Sequence, residues 1–183
     1  MKFWLLLSVL PAFAGQPRPV SPVVLYTDFE QAPPAGVLNG LQEELTNLMY
    51  PLGYEFSWRA LADVHGTEPV PELAVVHFKG RCNLDTFSGH GRTAGPLGWT
   101  HVSDGAILPF SDVDCNGIRE FLSDGLTGLR ADERESAFGR ALGRVLAHEL
   151  YHVFMRTAHH AARGVAKPAY SIADLLGTEF KFE

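Results

Sequence analysis

The run Leu146-Ala-His-Glu-Leu-Tyr-His-Val153 holds His148, Glu149 and His152 in the order His-Glu-x-x-His. On an α-helix, residues four apart project from one face, about 6 Å apart along the axis, so both imidazoles can close on a single metal ion. Glu149, one step round the helix, then reaches a water on that ion. The chemistry this implies is metal-assisted hydrolysis with Glu149 as general base, and the expected ion is one Zn2+.

With 8 His in 183 residues, such a pattern arises by chance in roughly two of a hundred shuffled chains, so its context must carry part of the argument. The preceding run Phe138-Gly-Arg-Ala-Leu-Gly-Arg-Val-Leu-Ala147 contains no proline and is apolar over most of a helical circumference. The motif therefore falls in a buried helix, where two imidazoles and a carboxylate without partners would be costly. A metal satisfies all three.

Catalytic zinc takes three protein ligands and keeps one position open, so a third ligand must come from elsewhere. The candidates are His159, His160, Asp174 and Glu179. Were the helix to continue, His159 would lie about 10 Å along the axis from His152, too far for a shared ion. The chain must turn after the motif, and Gly164 is the only breaker nearby. The metzincin spacing, a Gly three and a His six residues after the second motif His, is not met, because Met155 and Ala158 stand there. A gluzincin-like acid from a following helix could be Glu179 or, less well placed, Asp174. Imidazole is the preferred donor, so the histidines stand ahead of the acids. Candidates for contacting the substrate or its oxyanion are His101, Tyr170, Tyr151 and Arg163, with packing the expected role of Tyr151.

At the start, Met1-Lys2, the apolar run Phe3 to Leu10 and Pro11-Ala-Phe-Ala14 read as a secretory signal peptide cut after Ala14. The run is too short to span a bilayer, so no membrane insertion is expected after cleavage. Residues 15–183 have the length of a single domain. The net charge of −6 argues against nucleic acid as a partner. Secretion or periplasmic residence makes a Cys82–Cys115 disulfide the default, contributing about 3 kcal/mol on the chain-entropy model. A free Cys82 that blocks the metal in a latent form is the alternative.

The elements that must position these groups follow from periodicity. Val23 to Phe29, Tyr54 to Arg59 and Glu72 to Lys79 read as strands, the third central in the sheet. Apolar residues at 37, 38, 41, 45, 48 and 49 make one face of a helix packed across the first two strands, which should run parallel. Gly98 to Val102 and Ala106 to Phe110 flank Ser103-Asp-Gly105 as a hairpin, and Pro109 marks its second arm as an edge strand. An extended substrate could add to such an edge. A short helix follows over 116–122. The motif helix is expected over 133–157, with Asp132 and Glu135 as its capping pair. Gly139, Gly143 and Ala147 form a strip on it that another element must approach closely, and Ser171 to Leu176 reads as a short capped helix.

Five segments, Phe78-Lys-Gly-Arg-Cys82, Pro96-Leu-Gly-Trp-Thr-His-Val-Ser-Asp-Gly105, Val113-Asp-Cys115, Leu142 to His152 and Gly164-Val-Ala-Lys167, together resemble a group of small exported bacterial proteins with a zincin signature. The resemblance spans residues 70–180 and implies the zincin-like fold, the disulfide, the metal, and His160 rather than His159 as third ligand. The expectation is an α+β fold with a small mixed, twisted sheet, a backing helix and a long active-site helix. Its expected activity is that of a secreted, monomeric zinc metallopeptidase acting on peptides or proteins. The alternatives are a zinc hydrolase of non-peptide amides, with a closed cleft, and a binding or toxin-like domain whose structural zinc has a fourth protein ligand.

Overall fold

The computed structural model describes residues 20–66, 69–85 and 95–183. The expected signal peptide, residues 1–14, lies outside the described residues. The apolar run of Ser21–Phe29 forms β1, with Val23 to Thr27 buried. Pro34 admits no preceding helix, and α1 (Ala35–Met49) starts directly after it, burying Val37, Leu41, Leu45 and Leu48. Gly53, at φ 93°, supplies the left-handed turn into β2 (Tyr54–Ala60). β1 and β2 pair in parallel, as a helical crossover requires. β3 (Leu73–Lys79) pairs with the other side of β1, also in parallel. β4 (Gly98–Ser103) and β5 (Ala106–Asp114) form the hairpin, with β5 parallel to β3. The fold is α+β, with a five-stranded mixed sheet in the order β2-β1-β3-β5-β4.

The hairpin arm at the sheet edge is therefore β4, which corrects the expectation drawn from Pro109. That proline is accommodated inside β5 because the register against β4 shifts there, from Thr100↔Ser111 to Val102↔Ile107. Pairing with β3 begins only at Phe110. The missing N–H thus falls in a bulge rather than in a regular ladder.

After β5 come α2 (Cys115–Phe121), α3 (Ser123–Leu126), α4 (Ala131–Met155) and α5 (Ile172–Leu176). The start of α4 differs from the expected capping pair. The Glu133 side chain accepts from the Arg130 backbone N–H at 3.1 Å, so the helix opens two residues earlier than 133. It ends at Met155 rather than 157, because Arg156 takes the left-handed conformation (φ 47°, ψ 45°) without being glycine.

The glycines of α4 face α1. A Cβ on Gly139 would sit 2.2 Å from the Val37 carbonyl oxygen, and one on Gly143 would sit 2.9 Å from that of Leu41. Gly40 of α1 returns the contact, its Cβ position 2.7 Å from the Ser136 carbonyl. The two backbones touch, and Leu41, Leu45, Leu142 and Leu146 then share one core cluster with Leu25, Val76, Phe78 and Val113 of the sheet. Cys82, just past β3, is bonded to Cys115 at the start of α2, and both are fully buried. This disulfide removes the free-thiol alternative for Cys82.

Gly139→Ala should lower stability by about 2–3 kcal/mol, because the clash is with backbone that cannot rotate away. Urea denaturation measures this, and a loss under about 1 kcal/mol would mean that the helices separate freely.

Candidate metal centre

Helix α4 and the reversal of the chain after it bring the histidines together. His148 and His152 project from α4 on one face, with their Nε2 atoms 3.0 Å apart. The left-handed Arg156 folds the chain back, so that the Thr157 carbonyl meets His152 Nδ1 at 2.7 Å. The chain then crosses over the motif and delivers His160, whose ring centroid lies 5.2 Å from that of His148 and 4.8 Å from that of His152. One ligand atom from each of the three lies within 4.8 Å of the others. This group could hold a metal ion.

The loop after His160 orients His148. Ala161 N–H bonds to the Ala166 carbonyl, closing the loop, and the Val165 carbonyl meets His148 Nδ1 at 2.8 Å. Gly164 (φ 68°) is required here, since a Cβ would lie 2.4 Å from the Lys181 carbonyl, whose oxygen accepts from Val165 N–H. With each Nδ1–H donating to a carbonyl, both Nε2 lone pairs point at the same space, the arrangement in which ligating histidines are held. Two facing acceptors repel unless a cation lies between them, so the donor set itself fits a metal.

Glu149 lies beside the pair and is 4% exposed. Thr100 Oγ1 donates to its Oε2 at 2.8 Å, and the Ser111 hydroxyl stands 3.2 Å from Thr100 Oγ1. Gly98 admits the carboxylate, because a Cβ there would come within 2.9 Å of Glu149 Oε1. Burial raises the Glu149 carboxyl to about 7, against the Thr100 hydrogen bond, which lowers it. Burial lowers His148 to about 4, the Val165 hydrogen bond opposing, and burial likewise lowers His152.

The other sequence candidates separate clearly. Tyr170 is brought to the site, its ring 5.7 Å from that of His148, but its hydroxyl donates to the Val165 carbonyl. Burial first, then the charge of Glu149, raises its phenol well above the usual range. Tyr151 packs on Phe182 and on His152. His159 and Arg163 are exposed, and His159 is outside the ligand group. The two acids are also outside it: Glu179 is exposed, and Asp174 is bound to Lys167 at 2.7 Å and caps α5 through Ser171. His101 is a correction. Strand alternation points Thr100 at α4 and therefore turns His101 to the opposite face of the sheet, where its Nε2 pairs with Asp112 at 2.8 Å. Thr100 and Gly98 were not singled out from the sequence, although the same alternation marks Thr100 once β4 is recognised beside the motif helix. No local signal pointed to Val165, which acts through its backbone.

Two cavities meet at His148 and Glu149. One of about 290 Å³ opens along Trp99, Val102 and Ile107, toward His152 and His160. The other, of about 240 Å³, runs under Leu97, Phe121, Val145 and Tyr170. Pro96, Gly98 and Pro168 border both, so the cleft continues on either side of the reacting groups. Comparison with protein-family models, curated proteins and solved structures gives no match for this chain.

The raised Glu149 pKa makes a signed prediction for metal-stripped protein. The folded state holds this proton up to about pH 7, whereas the ordinary value is 4.5, so the stability it confers below 4.5 is lost as pH rises through 7. His148 acts in the opposite sense, adding stability as pH rises from about 4 to 6.5. Glu149→Gln removes only the first effect. It should gain about 3 kcal/mol over wild type at pH 8 and almost nothing at pH 4, as read by denaturant titration. A gain independent of pH would refute the assignment.

Proposed function

We propose that this protein is an exported zinc metallopeptidase, with His148, His152 and His160 holding one zinc ion and Glu149 as general base. The observation that carries the reading is the pair of Nε2 atoms 3.0 Å apart, each ring fixed through Nδ1 by a backbone carbonyl. Two imidazole ligands of one tetrahedral zinc, each at about 2.05 Å, would place their nitrogens about 3.3 Å apart, close to this spacing. Among the described residues the group contains three side chains, which leaves a fourth position for chemistry rather than closing the site.

When bound, zinc supplies Lewis acidity, polarising a substrate carbonyl and acidifying water toward neutral pH. Glu149 would take a proton from the attacking water and pass it to the leaving amine. Burial raises its proton affinity, and the charge of a bound ion would lower it again, so the carboxylate form is available as the base. Thr100 holds Oε2, which fixes the carboxylate plane and leaves Oε1 for the proton. Burial keeps His148 neutral and therefore able to ligate.

The preference for peptides rests on the cleft and the edge strand. The cleft extends on both sides of Glu149, and β4, which lines it, has no strand on its outer side among the described residues. An extended chain laid along that edge would bond to its backbone and present a carbonyl beside the histidines. A compact amide would need neither feature. Export is supported by the sequence of residues 1–14 and by the buried disulfide. No described helix is long and apolar enough to cross a membrane.

Four alanine variants and one valine variant test this reading. His148→Ala, His152→Ala and His160→Ala should each lose tight zinc binding. Glu149→Ala should keep a full equivalent of zinc while kcat on a mixed peptide library falls about a thousandfold. Thr100→Val should keep zinc and lower kcat about tenfold, through a less ordered carboxylate. A wild type that binds no zinc at equilibrium, or zinc-loaded protein that hydrolyses nothing in the library, ends the proposal.

A further inference from the structure

The sheet face turned away from α1 and α4 carries a second cluster, which the metal centre does not use. Asp28 of β1, His77 of β3 and Asp112 of β5 stand in register across three parallel strands. His77 Nδ1 is 3.1 Å from Asp28 Oδ2. Asp112 is 2% exposed, and its Oδ2 takes both His101 Nε2 at 2.8 Å and Lys79 Nζ at 3.2 Å. Glu30 Oε2 accepts the Gly80 N–H at 2.7 Å, tying the end of β1 to the end of β3. Together these groups surround a cavity of about 390 Å³ with an apolar wall of Leu108 and Phe110. Phe110 is 42% exposed.

The position of this cavity follows from the topology. The chain leaves β1 for β2 on one side, then returns past β1 to β3 on the other, so the winding reverses between β1 and β3. In open sheets of parallel strands, connections diverge at such a reversal and leave a crevice at the carboxyl ends of the strands, where ligands bind. Asp28 and Glu30 at the end of β1, and His77 and Lys79 at the end of β3, border that crevice.

Charge selects the ligand. The wall holds three carboxylates, two imidazoles and one ammonium, and that ammonium already serves Asp112 and the Trp99 ring, 4.6 Å from its centroid. The hydrogen bonds of Asp28 and Glu30 to described residues each use one oxygen, which leaves each carboxylate a second acceptor atom. A cationic head can take those oxygens while an apolar stem lies on Phe110 and Leu108. The net charge of −6 draws cations toward the molecule as a whole. We infer that this pocket binds a small organic cation, a primary amine or guanidinium on an apolar stem. The site is separate from the metal centre and stands whether or not the chain is a peptidase.

The test is titration of the whole folded protein with 2-phenylethylamine, and in parallel with the anion 3-phenylpropionate, followed by amide chemical shifts. The amine should move residues 28–30, 77–80, 101 and 108–112 saturably, and the anion should leave them still. Asp28→Asn with Glu30→Gln keeps one acceptor for His77 and one for Gly80 N–H, so the fold is retained, yet Kd for the amine should rise about tenfold or more. Phe110→Ala probes the apolar wall separately and should weaken the amine several-fold. The inference is overturned if the anion moves these residues as strongly as the amine, if neither probe moves them, or if the double variant binds the amine as wild type does.

Discussion

The fold depends on satisfying one buried cation. Arg144 lies on α4 with no exposed surface, its Nε 2.6 Å from Glu44 Oε1 of α1 and its Nη1 2.5 Å from the Asp174 carbonyl of α5. The Phe180 ring covers the guanidinium at 4.9 Å. An uncompensated charge in such a place costs several kcal/mol, so these partners are obligatory once α4 is buried. The consequence reaches the histidines. Asp174 also holds Lys167, two residues from the Val165 carbonyl that orients His148. Arg144 thus connects the packing of α1 on α4 to the loop that sets an imidazole, in one chain of polar contacts.

The same rule, that buried polar groups need partners, explains the site as well as its support. Removing the carbonyls of Thr157 and Val165 would leave both rings free to rotate and to share a proton. With those carbonyls in place, the rings present two lone pairs to one point. Burial acts on the charged forms, pushing Glu149 toward its neutral acid and His148 toward its neutral base. Without a cation, His148 is therefore a neutral imidazole near neutral pH, and a good acceptor of one. Ligation requires the neutral imidazole, whereas general-base chemistry requires the ionised carboxylate, which the charge of a bound cation favours.

What was legible in the sequence was what periodicity encodes. The 3.6-residue repeat placed His148, Glu149 and His152 together, and the glycines at 139 and 143 announced a close neighbour that proved to be α1. The parallel β1-α1-β2 unit followed from the helical spacing of apolar residues between two strand-like runs. The return of the chain was not legible, because the turning residue is Arg156 in a conformation that glycine or asparagine would have signalled. The edge of the sheet was misplaced for a similar reason. Pro109 does mark a position without a ladder bond, but a bulge inside a central strand provides one as well as an edge does. Arg144 gave no warning either, since an arginine in an apolar helix reads as its exposed residue until its partners, 100 and 30 residues away in sequence, are known.

β4 shows how much rests on the two-residue period of a strand. Thr100 faces α4 and fixes the Glu149 carboxylate, while His101, the next residue, faces the far side of the sheet and joins Asp112. A slip of one residue in the pairing of β4 with β5 would exchange them, taking the hydroxyl from the carboxylate and placing an imidazole against Val145 and Glu149. Two features oppose that slip. Gly98 must lie over Glu149, because any side chain there would overlap Glu149 Oε1 and Val145 Cγ1. Opposite His101, the bulge around Pro109 absorbs the register change within β5, so that Thr100 stays paired with Ser111 on one side and Val102 with Ile107 on the other. A strand with neither a required glycine nor a bulge could slide; this one has both, and the two faces of the sheet keep their separate chemistry.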